Sequence, residues 1–125
     1  MTAAFSMKQV DVTLALPPKS KARPRAYMGQ ARPYMDAAYK EWVRKARALM
    51  GEYWTHAPLD HIAVLVVAFY GPARGDLDNR LGSLLDAGNG LIWKDDNVNV
   101  IGTVAMSWHK TSLKDAHINF SVLWQ

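Results

Sequence analysis

The 125-residue sequence contains no cysteine, which excludes a disulfide framework and any metal site built on thiolates. Its longest apolar run, HIAVLVVAFY at residues 61–70, is about half as long as a membrane-spanning helix, so no membrane anchor is expected. The N-terminus lacks the basic, apolar and small-residue pattern of a signal peptide. A cysteine-free chain of this kind suits a reducing compartment, and we expect a cytoplasmic protein.

Chain length and composition fit one domain at residues 1–125, since half of the residues are apolar. The net charge of +4 hides an asymmetry along the chain. Residues 1–50 contain ten Lys or Arg against three acidic residues, whereas residues 51–125 contain five against eight. A basic half next to an acidic half predicts a polyanion that the first half holds and the second half processes. Scattered solvated charge without a partner is the alternative.

The hydrophobic pattern predicts an α/β (α+β) fold, in which two main helices pack against a small mixed sheet of about four strands. The predicted elements are a strand at 8–16, a basic proline-rich arm at 17–34, a helix at 37–50, a strand at 61–70, a helix from about 76–79 to 87, a strand at 98–109, a turn at 110–115 and a strand at 116–124. The apolar run at 61–70 predicts a central strand that is covered on both faces. The pattern leaves the strand order open.

Five aspartates follow this strand within 21 residues: Asp76, Asp78, Asp86, Asp95 and Asp96. Neighbouring carboxylates repel by about 4 kcal/mol per pair near a protein surface, unless a cation neutralises them. In Asp76-Leu77-Asp78-Asn79, the leucine is expected to point into the core, so that both carboxylates flank the start of a helix. If the next strand neighbours the strand at 61–70, the turn with Asp95 and Asp96 returns beside them. Carboxylates from two loops suit Mg²⁺ and the hydrolysis of a phosphodiester.

A purely structural role explains the same residues. Asp76 and Asp78 then cap the helix, whose dipole favours negative charge, and Asp95-Asp96 forms a hydrophilic turn. Asp86 shares a helix face with neighbouring polar residues, where a surface salt bridge accounts for it equally well. The sequence leaves both interpretations open.

The arm at 17–34 carries cations interleaved with tyrosines and stiffened by prolines, which predicts contacts with phosphates. The candidate DNA contacts are Lys19, Lys21, Arg23, Arg25 and Arg32 in the arm, with Arg74 and Arg80 near the acidic segment. A solvated loop is the alternative. Trp93, beside the acidic turn, is a candidate for a wedge that enters branched DNA.

Several of these segments together resemble the RusA family of Holliday-junction resolvases, which is common in phages and prophages. The resemblance covers roughly residues 10–123 and rests on PPKSKARPR, the helix with Tyr39 and Trp42, GDLDN, LLDAGNGLIWKDD and a closing β-hairpin. It implies a bacterial or phage-encoded homodimer that nicks two opposed strands of four-way DNA junctions in recombination and repair. It also implies Mg²⁺, which Mn²⁺ can replace, and no small-molecule cofactor. By position, the essential carboxylates fall on Asp76, Asp78 and Asp96. Asp95 is a further implied metal ligand, and Asn79 and Asp86 are supporting residues.

One position departs from the family pattern D-x-D-N-x-x-K, since the lysine position counted from Asp76 is Gly82. Either Lys94 or the basic arm then supplies the missing charge, or the chain is a DNA-binding protein of the same fold that cuts weakly or not at all. We expect Gly82→Lys to raise cleavage. A metal-dependent hydrolase of small phosphate esters is a third interpretation, against which the basic arm argues.

Overall fold

A computed structural model describes residues 6–21, 36–72 and 77–125. Its elements are the strands β1 (Lys8–Leu14), β2 (Val64–Gly71), β3 (Val104–Lys110) and β4 (His117–Trp124), the helices α1 (Ala37–Tyr53) and α2 (Leu77–Gly88), and a short 3₁₀ helix at Leu113–Asp115. The prediction of two helices packed on a four-stranded mixed sheet is confirmed. Within these described residues, no helix is long and apolar enough to cross a bilayer.

Asp36 caps the start of helix α1, since its carboxylate accepts a hydrogen bond from the Ala38 amide at 2.8 Å. The helix ends about one turn later than predicted, where Trp54 adopts an extended backbone. Its buried side chains repeat at helical spacing, so one face of the helix packs into the core. They are Tyr39, Trp42, Ala46 and Met50.

The strands lie in the order β1-β4-β2-β3, with β2 antiparallel to β4 and parallel to β3. The expected closing β-hairpin is therefore wrong, because β2 lies between β3 and β4. Strand β3 also begins later than predicted, at Val104 rather than near Val98. The chain first turns at Asn97, whose carbonyl accepts hydrogen bonds from the Val100 and Ile101 amides.

The parallel pairing of β2 with β3 requires a crossover, and α2 provides it by running back along the sheet. The chain therefore leaves β2 at one end of the sheet and enters β3 from the other end. Backbone hydrogen bonds show this return. The Lys94 amide donates to the Leu59 carbonyl at 3.0 Å, and the Ile62 amide donates to the Val100 carbonyl at 2.6 Å. Residues 94–100 thus lie beside the segment that precedes β2.

Alternate residues of the strands face one core, which α1 and α2 cover together. In β2 these residues are Leu65, Val67 and Phe69, which are 0 to 1% exposed. No described helix covers the opposite face of the sheet, where Val66 is 43% exposed. The expectation that the central strand is covered on both faces is therefore wrong, because both helices pack on the same side.

Trp93 is fully buried below the C-terminal end of α2. Its indole nitrogen donates a hydrogen bond to the Leu85 carbonyl at 2.9 Å, and its ring packs against Gly88. A tryptophan held in the core has no surface with which to enter DNA, so the wedge hypothesis is wrong. Instead, Trp93 anchors the acidic turn that follows it.

Candidate active site

Asp78 lies exposed in the first turn of α2, which follows the end of β2. One of its carboxylate oxygens accepts a hydrogen bond from the Asn79 amide at 3.0 Å. Leu77 packs against the core, as expected, and this contact sets the direction of the helix start. The Asp78 carboxylate therefore stabilises its own helix and still faces solvent. Asp76 and Arg74 lie outside the described residues, so their placement stays a prediction.

The turn with Asp95 and Asp96 is also exposed, and its own polar groups hold its shape. The Asp95 carboxylate accepts hydrogen bonds from the Asp96 amide at 2.8 Å and from the Asn97 side-chain amide at 3.0 Å. Beside the turn, the Lys94 ammonium lies 2.7 Å from the Asp60 carboxylate, and this hydrogen bond raises the pKa of Lys94. Lys94 is thus already paired at this end of the molecule.

Within one chain, Asp78 and Asp96 lie at opposite ends of α2. Asp78 is in the first turn, whereas Asp96 follows the tight turn that ends the helix at Gly88. The 12 residues of α2 span about 18 Å, which is too far for two carboxylates to share one cation. The expectation that the two acidic segments meet in one chain is therefore not met for Asp78 and Asp96. The physical reason is the parallel pairing of β2 with β3, which returns the chain to the start of β2 rather than to its end.

No three Asp, Glu or His side chains are grouped to hold a metal ion among residues 6–21, 36–72 and 77–125. Asp76 is not among these residues, so the predicted ligand set is not tested by this absence. The roles of Asp76, Asp78, Asp95 and Asp96 stay predictions.

Residues 17–21, which we call the strap, lie against α2 and α1. Every backbone carbonyl or amide that holds the strap meets a partner on a helix. The Trp42 indole of α1 donates to the Pro17 carbonyl at 2.8 Å. From α2, Arg80 donates to the Pro18 carbonyl at 3.0 Å and the Ser83 hydroxyl donates to the Lys19 carbonyl at 2.5 Å. In the other direction, the Lys21 amide donates to the Asn79 carbonyl of α2 at 3.1 Å. These contacts place the start of the basic arm against the acidic helix. The rest of the arm, with Arg23, Arg25 and Arg32, lies outside the described residues.

Lys21 ends the strap and crosses one face of α2. Asp78, Gly82 and Asp86 share this face because they are four residues apart along the helix. The stem of Lys21 fills the space that a side chain at Gly82 would need, since an added Cβ would lie 2.9 Å from Lys21 Cδ and 3.3 Å from Lys21 Cβ. The Lys21 ammonium lies 3.3 Å from the Asp86 carboxylate. The salt bridge that the sequence left open for Asp86 is thus made with Lys21.

Asp86 has a second partner, because the Tyr39 hydroxyl donates a hydrogen bond to its other carboxylate oxygen. Burial of Tyr39, and then this hydrogen bond to Asp86, raise the pKa of the phenol. The contact joins α1 to α2 across 47 residues of sequence, which no local pattern indicates. The sequence contained one signal for this contact. Tyr39 lies on the apolar face of a helix, and a buried phenol hydroxyl needs a polar partner.

With this geometry established, a family comparison shows what kind of protein the chain is. The family model described as endodeoxyribonuclease RusA matches residues 15–119, which include the strap, both helices and both acidic segments. The chain belongs to the RusA endodeoxyribonuclease family. The resemblance inferred from the motifs is confirmed, and the family description identifies a nuclease that acts on DNA. A comparison with curated proteins gave no match.

In this RusA-family chain, the described candidates for DNA contacts differ in exposure. The Lys21 side chain is 43% exposed, and Lys19 is partly exposed. The guanidinium carbon of Arg80, in contrast, lies 5.3 Å from the centre of the Trp108 ring, and burial lowers the pKa of Arg80. Arg80 therefore holds the strap in place through its hydrogen bond to the Pro18 carbonyl. A DNA contact by Arg80 stays a prediction.

Proposed function

We propose that this protein is a Mg²⁺-dependent endonuclease that resolves four-way DNA junctions by paired nicks. The family match carries the proposal, because it spans the basic strap and the acidic segments together. The geometry supports it, since the strap lies on the helix whose first turn holds Asp78. A DNA phosphate held by the strap would therefore lie near a carboxylate that can take part in its hydrolysis.

The residues at the start of α2 fit a hard divalent cation. The Asn79 amide holds one oxygen of the exposed Asp78 carboxylate, which leaves the other oxygen for a ligand. We assign Asp76, Asp78 and Asp96 as metal ligands, with Asp95 as a further candidate. When bound, Mg²⁺ or Mn²⁺ supplies a polarised water and neutralises charge on the leaving oxygen.

A homodimer would give Asp96 a place in this site. Because Asp78 is in the first turn of α2 and Asp96 follows the other end of this helix, which is about 18 Å long, one cation would bind both only if Asp96 came from a second subunit. A two-fold axis would then build two equivalent sites, each from two chains. A four-way junction has near two-fold symmetry, so two such sites suit nicks in opposed strands.

The strap and the rest of the arm would hold the DNA backbone. Lys19, Lys21, Arg23, Arg25 and Arg32 carry the charge that this role requires. Each phosphate they neutralise releases counterions, so binding should weaken steeply as salt concentration rises. A protein that only binds junctions is the second candidate function, and the glycine at position 82 is the observation that favours it.

A cleavage assay with a synthetic four-way junction, in the presence and absence of Mg²⁺, tests the proposal. A linear duplex of the same sequence is the control. We expect Mg²⁺-dependent nicks at equivalent positions in two opposed strands and little cutting of the duplex. A shift in gel mobility without products would favour the non-cutting candidate. Asp76→Asn should still bind the junction but no longer nick it, and undiminished nicking by this variant would refute the assignment of Asp76.

A further inference from the structure

Asp78, Gly82 and Asp86 form one face of α2. At Gly82, which has no side chain, the space beside the helix is filled by Lys21 of the strap. The stem of Lys21 lies over it, so closely that a Cβ on residue 82 would be 2.9 Å from Lys21 Cδ. The glycine therefore makes room for a lysine that arrives from the strap. This arrangement lays the stem of Lys21 between Asp78 and Asp86 and brings its ammonium to Asp86, on the same face of α2 as Asp78.

The backbone of Lys21 is held at the first turn of α2, because its amide donates to the Asn79 carbonyl at 3.1 Å. From there its side chain runs toward Asp86. Position 82 is one turn from Asp78 and one turn from Asp86, and each turn of four residues rises about 6 Å along the helix. A four-carbon stem that starts beside Asn79 can therefore direct its ammonium to either end of this face.

A DNA phosphate can take the place of the Asp86 carboxylate as the partner of the Lys21 ammonium. The two atoms are 3.3 Å apart, and the side chains of Lys21 and Asp86 are 43% and 24% exposed. Exposed ion pairs at such distances contribute little to stability, so exchange of the carboxylate for a phosphate costs little. The Tyr39 hydroxyl donates to the other oxygen of Asp86, so this carboxylate would still have a hydrogen-bond donor if the lysine moved to a phosphate.

Lys94 is in a different position from Lys21. It lies beyond the C-terminal end of α2 and is paired with Asp60 at 2.7 Å. Among the described cations outside α2, Lys21 is the one whose backbone is hydrogen-bonded to the turn that carries Asp78.

We propose that Lys21, placed over Gly82 by the strap, contacts the phosphate that is cut and stabilises the negative charge that develops on it. This inference rests on the proposed function. In the hydrolysis, the oxygen of water bonds to phosphorus and the water gives up one proton, the bond from phosphorus to the leaving oxygen breaks, and the leaving oxygen takes up one proton. Lys21 keeps its own proton throughout and supplies only charge. The rival role is a purely structural one, in which Lys21 fastens the strap to α2.

Single-turnover cleavage of the four-way junction, measured beside junction affinity and thermal stability, separates these roles. Lys21→Met keeps most of the stem and removes the charge, and we expect it to cut about 100-fold more slowly. Lys21→Arg keeps the charge and should retain most of the rate. Lys8→Met is the matched control, because it removes an exposed lysine at the start of β1, and it should cut like the wild type.

A relocated lysine provides the sharpest test. Lys21→Ala leaves only its Cβ near position 82, at 3.3 Å from an added Cβ, so a lysine there fits after a small shift. We expect Lys21→Ala to cut as slowly as Lys21→Met, and the double variant Lys21→Ala with Gly82→Lys to recover most of the lost rate. Gly82→Lys alone must displace the stem of Lys21. The gain in cleavage that the sequence led us to expect from this variant is therefore no longer expected. Gly82→Lys should bring no gain, because the charge is already present.

The outcomes distinguish this inference from the function on which it rests. If the wild type cuts and Lys21→Met cuts equally fast, the inference is overturned and the proposed function stands. If Lys21→Met and the double variant are equally slow and both lose thermal stability, Lys21 is a structural fastener and the inference is overturned. A wild type that binds junctions in Mg²⁺ without cutting overturns the proposed function and this inference together.

Discussion

The indole ring of Trp93 lies where any side chain on Gly88 would have to be. Gly88 is the last residue of α2, and its carbonyl accepts hydrogen bonds from the amides of Leu91, Ile92 and Trp93. The chain therefore folds back below the end of the helix and brings the Trp93 ring into the space that a side chain on Gly88 would fill. This contact joins α2 to the core and determines where the acidic turn begins.

Gly88→Ala should destabilise the protein, because the added methyl group would overlap the Trp93 ring. We expect the free energy of unfolding to fall by about 2 kcal/mol, since overpacking of a filled core costs roughly that much. Thermal unfolding followed by circular dichroism should show a melting temperature lower by about 5 °C or more.

Gly51 is the matched control for this substitution, since it lies inside α1 and nothing is within 4 Å of a Cβ added there. Gly51→Ala should raise the free energy of unfolding by up to about 1 kcal/mol, because alanine is the better helix former. Equal changes at Gly51 and Gly88 would contradict the contact between Gly88 and Trp93.

The one-sided cover of the sheet predicts opposite sensitivities at two adjacent valines of β2. Val67 is 1% exposed and Val66 is 43% exposed. Val67→Ser should lower the free energy of unfolding by about 3 kcal/mol, because it empties part of the core and buries a hydroxyl group. Val66→Ser should cost less than about 1 kcal/mol. Chemical denaturation curves of both variants measure this, and the reverse order would mean that β2 faces the helices with its other side.

The environment of Tyr39 predicts a late step in an alkaline titration. Burial, and then the hydrogen bond to Asp86, raise its pKa above the ordinary tyrosine value of about 10. Ultraviolet absorbance should therefore show a late tyrosine ionisation in the folded protein. Tyr39→Phe should lose this late step. Tyr53 is 41% exposed, and Tyr53→Phe should retain the late step.

The same shift predicts how stability depends on pH. Because the pKa of Tyr39 is higher in the folded chain than in the unfolded chain, its contribution is fully present below about pH 10 and is lost as pH rises further. The free energy of unfolding of the wild type should thus fall more steeply above about pH 10 than that of Tyr39→Phe. Parallel curves for the two proteins would show that the phenol is not held in its protonated form by the fold.

The separation of Asp78 and Asp96 predicts complementation between two inactive variants. If each site takes Asp78 from one subunit and Asp96 from the other, Asp78→Asn and Asp96→Asn homodimers should both fail to cut. A heterodimer of the two would contain one complete site and one doubly altered site. Co-expression with two different tags and purification on both should therefore give a protein that nicks one strand of the junction.

The control is a heterodimer of Asp78→Asn with a chain that carries both Asp78→Asn and Asp96→Asn, in which no site is complete. It should stay inactive. Inactivity of the first heterodimer as well, with both chains shown to be present and bound to DNA, would mean that no site combines Asp78 and Asp96 from different subunits.

Much of the fold could be predicted because its signals are local. The alternation in β1 and the helical spacing from Tyr39 to Met50 each arise within one element, and both elements begin where the pattern placed them. The cover of β2 was wrong because a continuous apolar run does not reveal on which side of a sheet the helices pack. The start of β3 was misplaced because the turn at Asn97 interrupts an otherwise apolar pattern.

The candidate site divides in the same way. The start of α2 at Leu77-Asp78-Asn79 could be predicted from three adjacent residues. The distance from Asp78 to Asp96 could not, because it depends on whether the next strand enters parallel or antiparallel to β2. The position of Lys21 over Gly82 also lay beyond sequence reasoning, since it joins the strap to a helix residue far away in the sequence.

By itself, the sequence determined the chemistry that this protein has available: no thiolate, a basic arm, an acidic helix start and the motifs of the RusA family. Only the tertiary structure decided which of these groups meet, by placing Lys21 over Gly82 with its ammonium at Asp86 and by sending Asp96 to the far end of α2. The physical reason is that charge and hydrogen-bonding capacity belong to each side chain. The distance between remote side chains depends instead on strand direction and on which faces pack together, and no local pattern specifies either.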